Sequence, residues 1–405
     1  MMKKTIEELM VALACEKWPV RWKDFFDSVR QELLQHGHPM LTSEFYDRLQ
    51  ETYRVLPTYK ELYQRSAALI AEDEDLSLFF ALLCRASRDR ELINDDLSNL
   101  SLPTGAGGQN ALACRMLPGL TLCQAIPDVY EAMKKRGIPD EILYPSLRVA
   151  EAGVDFYVAR HDGEEGFSNY GWWQRAYDGT IYRVGRLELE IPFRLPEVYA
   201  VFRREDGETV ALIKNMKLDR DGFAFGSLDH ADEEGAWTPQ YEETEDAYVG
   251  HPFLENGFVS KERVTLKKAE WMPAMMGGDP VINLHIPAGG GFGNDAVEQT
   301  IKDARAFMDT YFPEYGYRGF VCASWLIDPT LTKILDRETN IAKFCSRFKP
   351  MTMKSGARGV FSFIFRKTDD DFEIADLPEN SSLERALKTH FLSGGHIYEM
   401  FGYFL

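Results

Sequence analysis

Apolar residues recur at helical spacing from the start of the chain: Ile6, Leu9, Met10 and Leu13, then Phe25, Phe26, Val29 and Leu33. A stripe of that period occupies one face of a 3.6-residue helix, so the pattern predicts helix after helix as far as about Leu147. Breaks are expected at Pro19, Gly37 with Pro39, Pro57, Pro103 with Gly105, Pro118 with Gly119, and Gly137 with Pro139. Proline there removes an amide donor, and glycine adds backbone freedom. The reading is a helical N-terminal domain over residues 1–150.

Between Trp172 and Pro287 the period shortens to two, with alternating runs at Ile181 to Ile191, Val198 to Arg203, Val210 to Ile213 and Val264 to Lys267. Asp206-Gly207 separates two of these runs, and both residue types tolerate the positive φ of a tight hairpin turn. An antiparallel meander is predicted. It leads into Val281 to Pro287, which reads as a buried strand, and then into the glycine-rich stretch Ala288 to Asp295. A helix follows, with Val297, Ile301, Ala304, Met308 and Tyr311 on one stripe and a stop at Pro313. Gly319 to Ile327 reads as a second buried strand, and Asp328-Pro329 as an N-cap followed by proline at the first helical position. Strand, loop, helix and strand form one β-α-β unit. Its right-handed crossover makes the two strands parallel, with the loop at the C-terminal end of the first. A further strand from Gly359 to Lys367 and a helix plus extended segment from Leu383 to Leu405 complete residues 151–405. The fold class expected is α+β, helical first and then a mixed, mostly antiparallel sheet flanked by helices.

Length alters this picture little: 405 residues exceed what one core usually organises, which suits two domains. Charge excludes more. The 46 Lys and Arg against 64 Asp and Glu give a net charge of -18, which repels nucleic acid and anionic membrane surfaces. Any anionic ligand needs a locally favourable site. The six cysteines, at 15, 84, 114, 123, 322 and 345, form no C-x-x-C pair, no histidine cluster has metal-ligand spacing, and no metal is expected. Reduced thiols, an N-terminus without an export signal and the lack of a run of about 20 apolar residues predict a cytoplasmic protein.

The glycines at 289, 290, 291 and 293 go beyond the needs of a turn. Feeding a helix N-terminus, such a loop lets bare amides and the helix dipole meet an anion. No Gly-Lys-Ser/Thr follows, and no acidic ribose ligand stands in the expected register, which disfavours ATP and NAD. The competing reading is a plain strand-to-helix turn, with Asp295 as N-cap and Glu298 as its capping-box partner.

The segment His285 to Gly290, the helix to Tyr311-Phe312-Pro313-Glu314, Phe320 to Leu326 with Asp328-Pro329, and Thr339-Asn340-Ile341 with Phe344 resemble the GNAT-like C-terminal domain of bacterial two-domain acyltransferases. Val184 to Leu187 and Trp271 with Gly278-Asp279-Pro280 fit the same resemblance, and the helical part is similar to that family's N-acyltransferase N-terminal domain. The resemblance implies that acetyl-coenzyme A or a longer acyl-coenzyme A is the co-substrate. Its pantetheine arm would pair with the strand carrying Asn283, and its pyrophosphate would rest on Gly289, Gly290, Gly291, Phe292, Gly293 and Asn294. The loop departs from the common GNAT pattern in having no Arg or Gln at its start and no cation within it.

Acyl transfer to an amine needs a deprotonated nucleophile, a donor for the developing oxyanion and a proton for the leaving thiolate. His285 is the candidate base, alternating with Asn283 on one strand face; the other reading is a histidine that orders the strand-loop corner. Ser324 and Cys322 are the candidate proton donors on the neighbouring strand, Ser324 preferred because a buried hydroxyl must find a partner. The expected function is acyl transfer by direct attack in a ternary complex, the acceptor being a small-molecule or protein amine, with a homodimer left open. The alternative is a non-catalytic GNAT-like binding module with a degenerate cofactor site. A serine hydrolase built on Ser324 lacks the Gly-x-Ser-x-Gly elbow.

Overall fold

A computed structural model of the protein describes residues 4–88, 100–168, 175–176, 178–228, 230–289, 292–367 and 371–405. The chain divides into two compact units, Met1–Ile181 and Tyr182–Leu405.

The first unit is helical: α1 (Ile6–Ala12), α2 (Lys23–His36), α3 (Ser43–Tyr53), α4 (Lys60–Ala71), α5 (Glu74–Arg88), α6 (Ala111–Cys123), α7 (Ile126–Arg136), α8 (Asp140–Leu147) and α9 (Val149–Val158). The unit runs on to Ile181, and α9 crosses residue 150. Thr5 and Glu8 close a reciprocal capping box that starts α1. Helix α5 is buried on nearly every face from Leu76 to Leu83, which marks it as the centre around which the others pack. Pro118 and Gly119, expected to break a helix, lie inside α6. Packing decides there: a Cβ on Gly119 would meet the Phe167 ring at 2.7 Å and the Tyr63 hydroxyl at 2.8 Å, so only glycine fits.

The second unit contains two six-stranded sheets. Its strands are β1 (Ile181–Val184), β2 (Leu187–Arg194), β3 (Tyr199–Arg204), β4 (Thr209–Ile213), β5 (Glu242–Glu243), β6 (Ala247–Pro252), β7 (Val264–Lys267), β8 (Trp271–Met276), β9 (Pro280–His285), β10 (Phe320–Ser324), β11 (Lys349–Thr352) and β12 (Met400–Phe404). Interspersed are α10 (Asn294–Tyr311), α11 (Leu331–Ile334), α12 (Asn340–Ser346) and α13 (Ser382–Leu392). One sheet has the order β1-β2-β9-β10-β12-β11; the other runs β5-β6-β4-β3-β8 with β7 beside β6. The hairpin at Asp206-Gly207 joins β3 to β4, with Gly207 at φ 90° and the Asp206 carboxylate accepting from the Glu208 amide.

The sheets share a core in which Tyr199, Val201, Ala211 and Met275 meet Val281, Val321, Met351, Phe401 and Tyr403. Tyr199 and Phe401 stack at 5.1 Å. Each such buried side chain contributes about 1.5–3 kcal/mol of transfer free energy. On the other face of the first sheet, the α10 residue Arg305 lies over the Phe320 ring, and Phe348, just after α12, meets Phe404. Among the described residues no helix is long and apolar enough to cross a membrane.

One segment differs from its periodicity. Gly359 to Lys367 alternates like a strand but forms a helical turn, Phe361–Phe365. In that turn Phe361 and Phe365, four residues apart, both reach Phe391 of α13, a contact that a strand would give to only one of them.

Candidate functional site

Strands β9 and β10 run parallel, as the β-α-β unit requires, yet they pair only at Ile282 with Phe320 and Asn283 with Val321. Beyond these pairs β9 continues to His285 and β10 to Ser324, each held by its outer neighbour: Leu284 and His285 by β2, and Cys322 to Ser324 by β12. Two parallel strands held apart in this way offer amides and carbonyls to something inserted between them.

The loop that follows β9 is described on either side of Gly290 and Gly291, which lie outside the described residues. Gly289 takes φ 75°, a left-handed conformation that favours glycine, and a Cβ on either Gly289 or Gly293 would meet open space. Gly293 is the N-cap of α10 and brings no side-chain cap. Asp295 is therefore not the cap; it is an exposed residue of the first turn. Glu298 does not close a capping box either, because its carboxylate is taken by Arg347. The Asn294 amide donates to the Asn340 side-chain oxygen at 3.1 Å.

Cations missing from the loop arrive from elsewhere in the chain. Arg186, in the β1-β2 turn, donates to the Pro287 carbonyl at 2.9 Å and lies over the Phe292 ring at 5.3 Å. Its own amide donates to Thr300 of α10 at 2.8 Å, which ties the turn to the helix. Arg347 is largely buried beside Glu298, and its Nη1 has no hydrogen-bond partner among the described residues. Phe292 packs on Phe344 of α12 at 4.9 Å.

Asn283 and His285 share one face of β9, and β2 brings Glu190 and Glu188 opposite them. Glu190 is buried, and one carboxylate oxygen accepts from Asn283 Nδ2 at 2.7 Å and from His285 Nε2 at 2.8 Å. Asn283 Nδ2 also lies 3.2 Å from His285 Nε2, so the three side chains form one compact cluster. Glu188 pairs loosely with Arg183 at 3.5 Å; burial raises its pKa against the lowering effect of that guanidinium. Asn283 Oδ1 is buried without a partner among the described residues, an acceptor left facing the cluster.

The second strand carries its candidates differently. Cys322 is buried in the sheet, and burial pushes its thiol far above the ordinary range, which keeps it protonated and unreactive. The Ser324 hydroxyl accepts from the Leu326 amide at 3.1 Å and caps the turn Trp325–Ile327. The structure thus brings Asn283 and His285 together with Glu190 and leaves Cys322 and Ser324 on the far side of the neighbouring strand's alternation. Glu190 was not singled out by the sequence, and Arg186 stood there only within the run Val184 to Leu187, with no role assigned. The run Leu187 to Ile191 puts Glu190 with Glu188 at its polar positions, so its burial shows only in the structure.

Residues 181–404 match the GNAT-like C-terminal domain, and residues 41–179 match the N-acyltransferase N-terminal domain. No curated protein matches the chain. Among solved structures, the fold is similar to that of an acyltransferase in complex with decanoyl-CoA and teicoplanin, at TM-score 0.60 and 19% identity over 98% of each chain. The same measures hold for an acyltransferase mutant with octanoyl-CoA, and a complex with CoA and 10C-teicoplanin gives TM-score 0.61, again at 19% identity and 98% coverage of both chains. At this identity the likeness is one of fold.

Proposed function

Because the chain belongs to the family of two-domain N-acyltransferases, with an N-acyltransferase N-terminal domain followed by a GNAT-like C-terminal domain, we propose that it moves an acyl group from acyl-coenzyme A to an amine or other nucleophile by direct attack while both are bound. The observation that carries this reading is the divergence of β9 and β10 beyond Asn283 and Val321, directly before a glycine loop and a helix whose N-cap, Gly293, brings no side-chain cap. The acyl-pantetheine arm fits between the two strands. Its backbone-like amides find unpaired strand groups there, and the pyrophosphate falls at Gly289, Gly293 and the α10 dipole, with Arg186 beside them.

His285 has its Nε2 engaged by Glu190, and in this reading it orders the strand-loop corner and holds the mouth of the strand opening in shape. Ser324 shapes the opposite side through its turn, and Cys322 fills the core. Medium-chain donors and small-molecule amine acceptors are the classes to try first, since acyltransferases of similar fold are complexed with octanoyl-CoA, decanoyl-CoA and teicoplanin.

Calorimetric titration with octanoyl-CoA tests the reading. Saturable one-to-one binding is expected, and no heat and no thermal shift at millimolar acetyl-, octanoyl- or decanoyl-CoA would overturn it. One observation favours the alternative of a non-catalytic module with a degenerate cofactor site: Asn340 already occupies the Asn294 amide. The same titration separates the two, because a degenerate site binds no donor.

A further inference from the structure

Glu399 immediately precedes β12, whose first residue Met400 pairs with Ser324, so it stands at the C-terminal end of β10, where β9 and β10 have already parted. It lines a cavity of about 340 Å³. Phe223, Phe361, Ile374 and Phe391 make the apolar walls, and Tyr398 adjoins Glu399. A concave, largely apolar cavity with a few polar groups, here Glu399, Arg358 and His396, is the usual form of a small-molecule site.

The carboxylate is held from two directions. Gly359 donates its amide at 3.0 Å, and the Trp325 amide donates as well. Position 359 must be glycine for this, since a Cβ would come 2.0 Å from the carboxylate oxygen. Tyr398 is fixed in turn by its amide, which donates to Asp328 at 2.7 Å. Behind Phe223 and Tyr398 lies the buried pair Asp219 and His230, whose imidazole is 4.3 Å from the Phe223 ring and 5.2 Å from that of Tyr398. Two amide donors satisfy Glu399 only in part, and among the described residues no Lys, Arg or His forms an ion pair with it. A buried carboxylate of this kind suits an ammonium or amine as its remaining partner.

We propose that this cavity is the acceptor subsite, that it receives a primary amine carried on an apolar body of ring size, and that Glu399 takes the proton the attacking nitrogen gives up. The inference rests on the acyl-coenzyme A reading above. As the nitrogen lone pair forms the N–C bond to the thioester carbonyl carbon, the C–S bond breaks and its electron pair leaves on sulfur. Glu399 accepts the N–H proton and gives it back to the leaving thiolate, so amide and thiol are the products and the carboxylate is regenerated. Burial, opposed by the two amides, raises the Glu399 pKa to about 7, the range in which a carboxylate accepts and releases a proton readily at neutral pH. The other titratable groups around it are Arg358 and His396 on the cavity wall, Cys322, which feels its charge, and the Asp219–His230 pair.

The test uses the full chain, 2-phenylethylamine as acceptor and octanoyl-CoA as donor, with three readouts: heat of amine binding, heat of donor binding and thiol release. Glu399→Gln should bind octanoyl-CoA within threefold of the parent, release thiol at least 100-fold more slowly and lose the limb near pH 7 of the parent's kcat/KM profile. Ala357→Trp, at an exposed wall position, should weaken amine binding at least tenfold and leave donor binding unchanged. Retention of thiol release within threefold in Glu399→Gln, unaltered amine binding in Ala357→Trp, or no amine binding by the parent overturns the inference. Failure of the parent to bind octanoyl-CoA instead overturns the donor reading itself.

Discussion

Gly293→Asp separates the two things a helix N-terminus can do, hold a helix and hold an anion. Gly293 is the N-cap of α10 at φ -73°, a backbone that aspartate adopts freely, and a Cβ there meets nothing within 4 Å. A carboxylate at this position accepts from the first-turn amides, and aspartate exceeds glycine as an N-cap by a few tenths of a kcal/mol, so the free protein should be equally or slightly more stable. The same carboxylate faces the diphosphate. At a separation of roughly 6 Å and an effective dielectric near 20 the repulsion is about 2–3 kcal/mol, or a Kd raised about 30- to 150-fold. Calorimetry with octanoyl-CoA measures it, thermal unfolding controls for folding, and the loss should shrink as salt rises. S-octanoyl-pantetheine, which lacks the diphosphate, should bind parent and variant alike. A Kd for octanoyl-CoA within threefold of the parent, in a variant of unchanged stability, would refute the placement of the anion at α10.

Further expectations follow from individual contacts. Glu190→Gln turns an acceptor of two hydrogen bonds into a side chain that also presents donors to Asn283 and His285, and should cost about 1–3 kcal/mol in urea unfolding; a loss below about 0.5 kcal/mol would show the cluster to be slack. Gly185→Ala meets both a φ of 53° and the Thr300 hydroxyl at 2.5 Å from the new Cβ, so a loss of about 1–3 kcal/mol is expected, and equal stability would contradict the geometry of the β1-β2 turn. Glu399 is raised from 4.5 to about 7 in the folded chain, so the native state binds its proton more tightly than the unfolded state. The stability from that proton is complete below about pH 4.5 and is lost as pH rises through about 7, amounting to about 3 kcal/mol. Unfolding free energies of the parent relative to Glu399→Gln should therefore fall by that amount between pH 4.5 and 8, and parallel profiles would refute it.

Local patterns were legible where neighbours in sequence are neighbours in space. The stripe from Val297 to Met308 became the buried face of α10, the alternation on either side of Asp206-Gly207 became β3 and β4, and the apolar runs around residues 283 and 322 became parallel strands. Where local and tertiary preferences disagreed, packing prevailed. Pro118 stayed within α6, and the alternating aromatics after Gly359 wound into a turn because Phe391 lay within reach of two of them.

Periodicity, turn chemistry and glycine content by themselves determined a helical half, a β-rich half, one β-α-β unit and a loop fit for an anion. Folding alone decided which charges surround that loop and which carboxylate changes its chemistry. Arg186 reaches Pro287 across 101 positions, Glu190 meets His285 across 95, and Gly359 meets Glu399 across 40. Such groups act through separation in space and exclusion of water, and neither quantity is written in the order of residues along a chain.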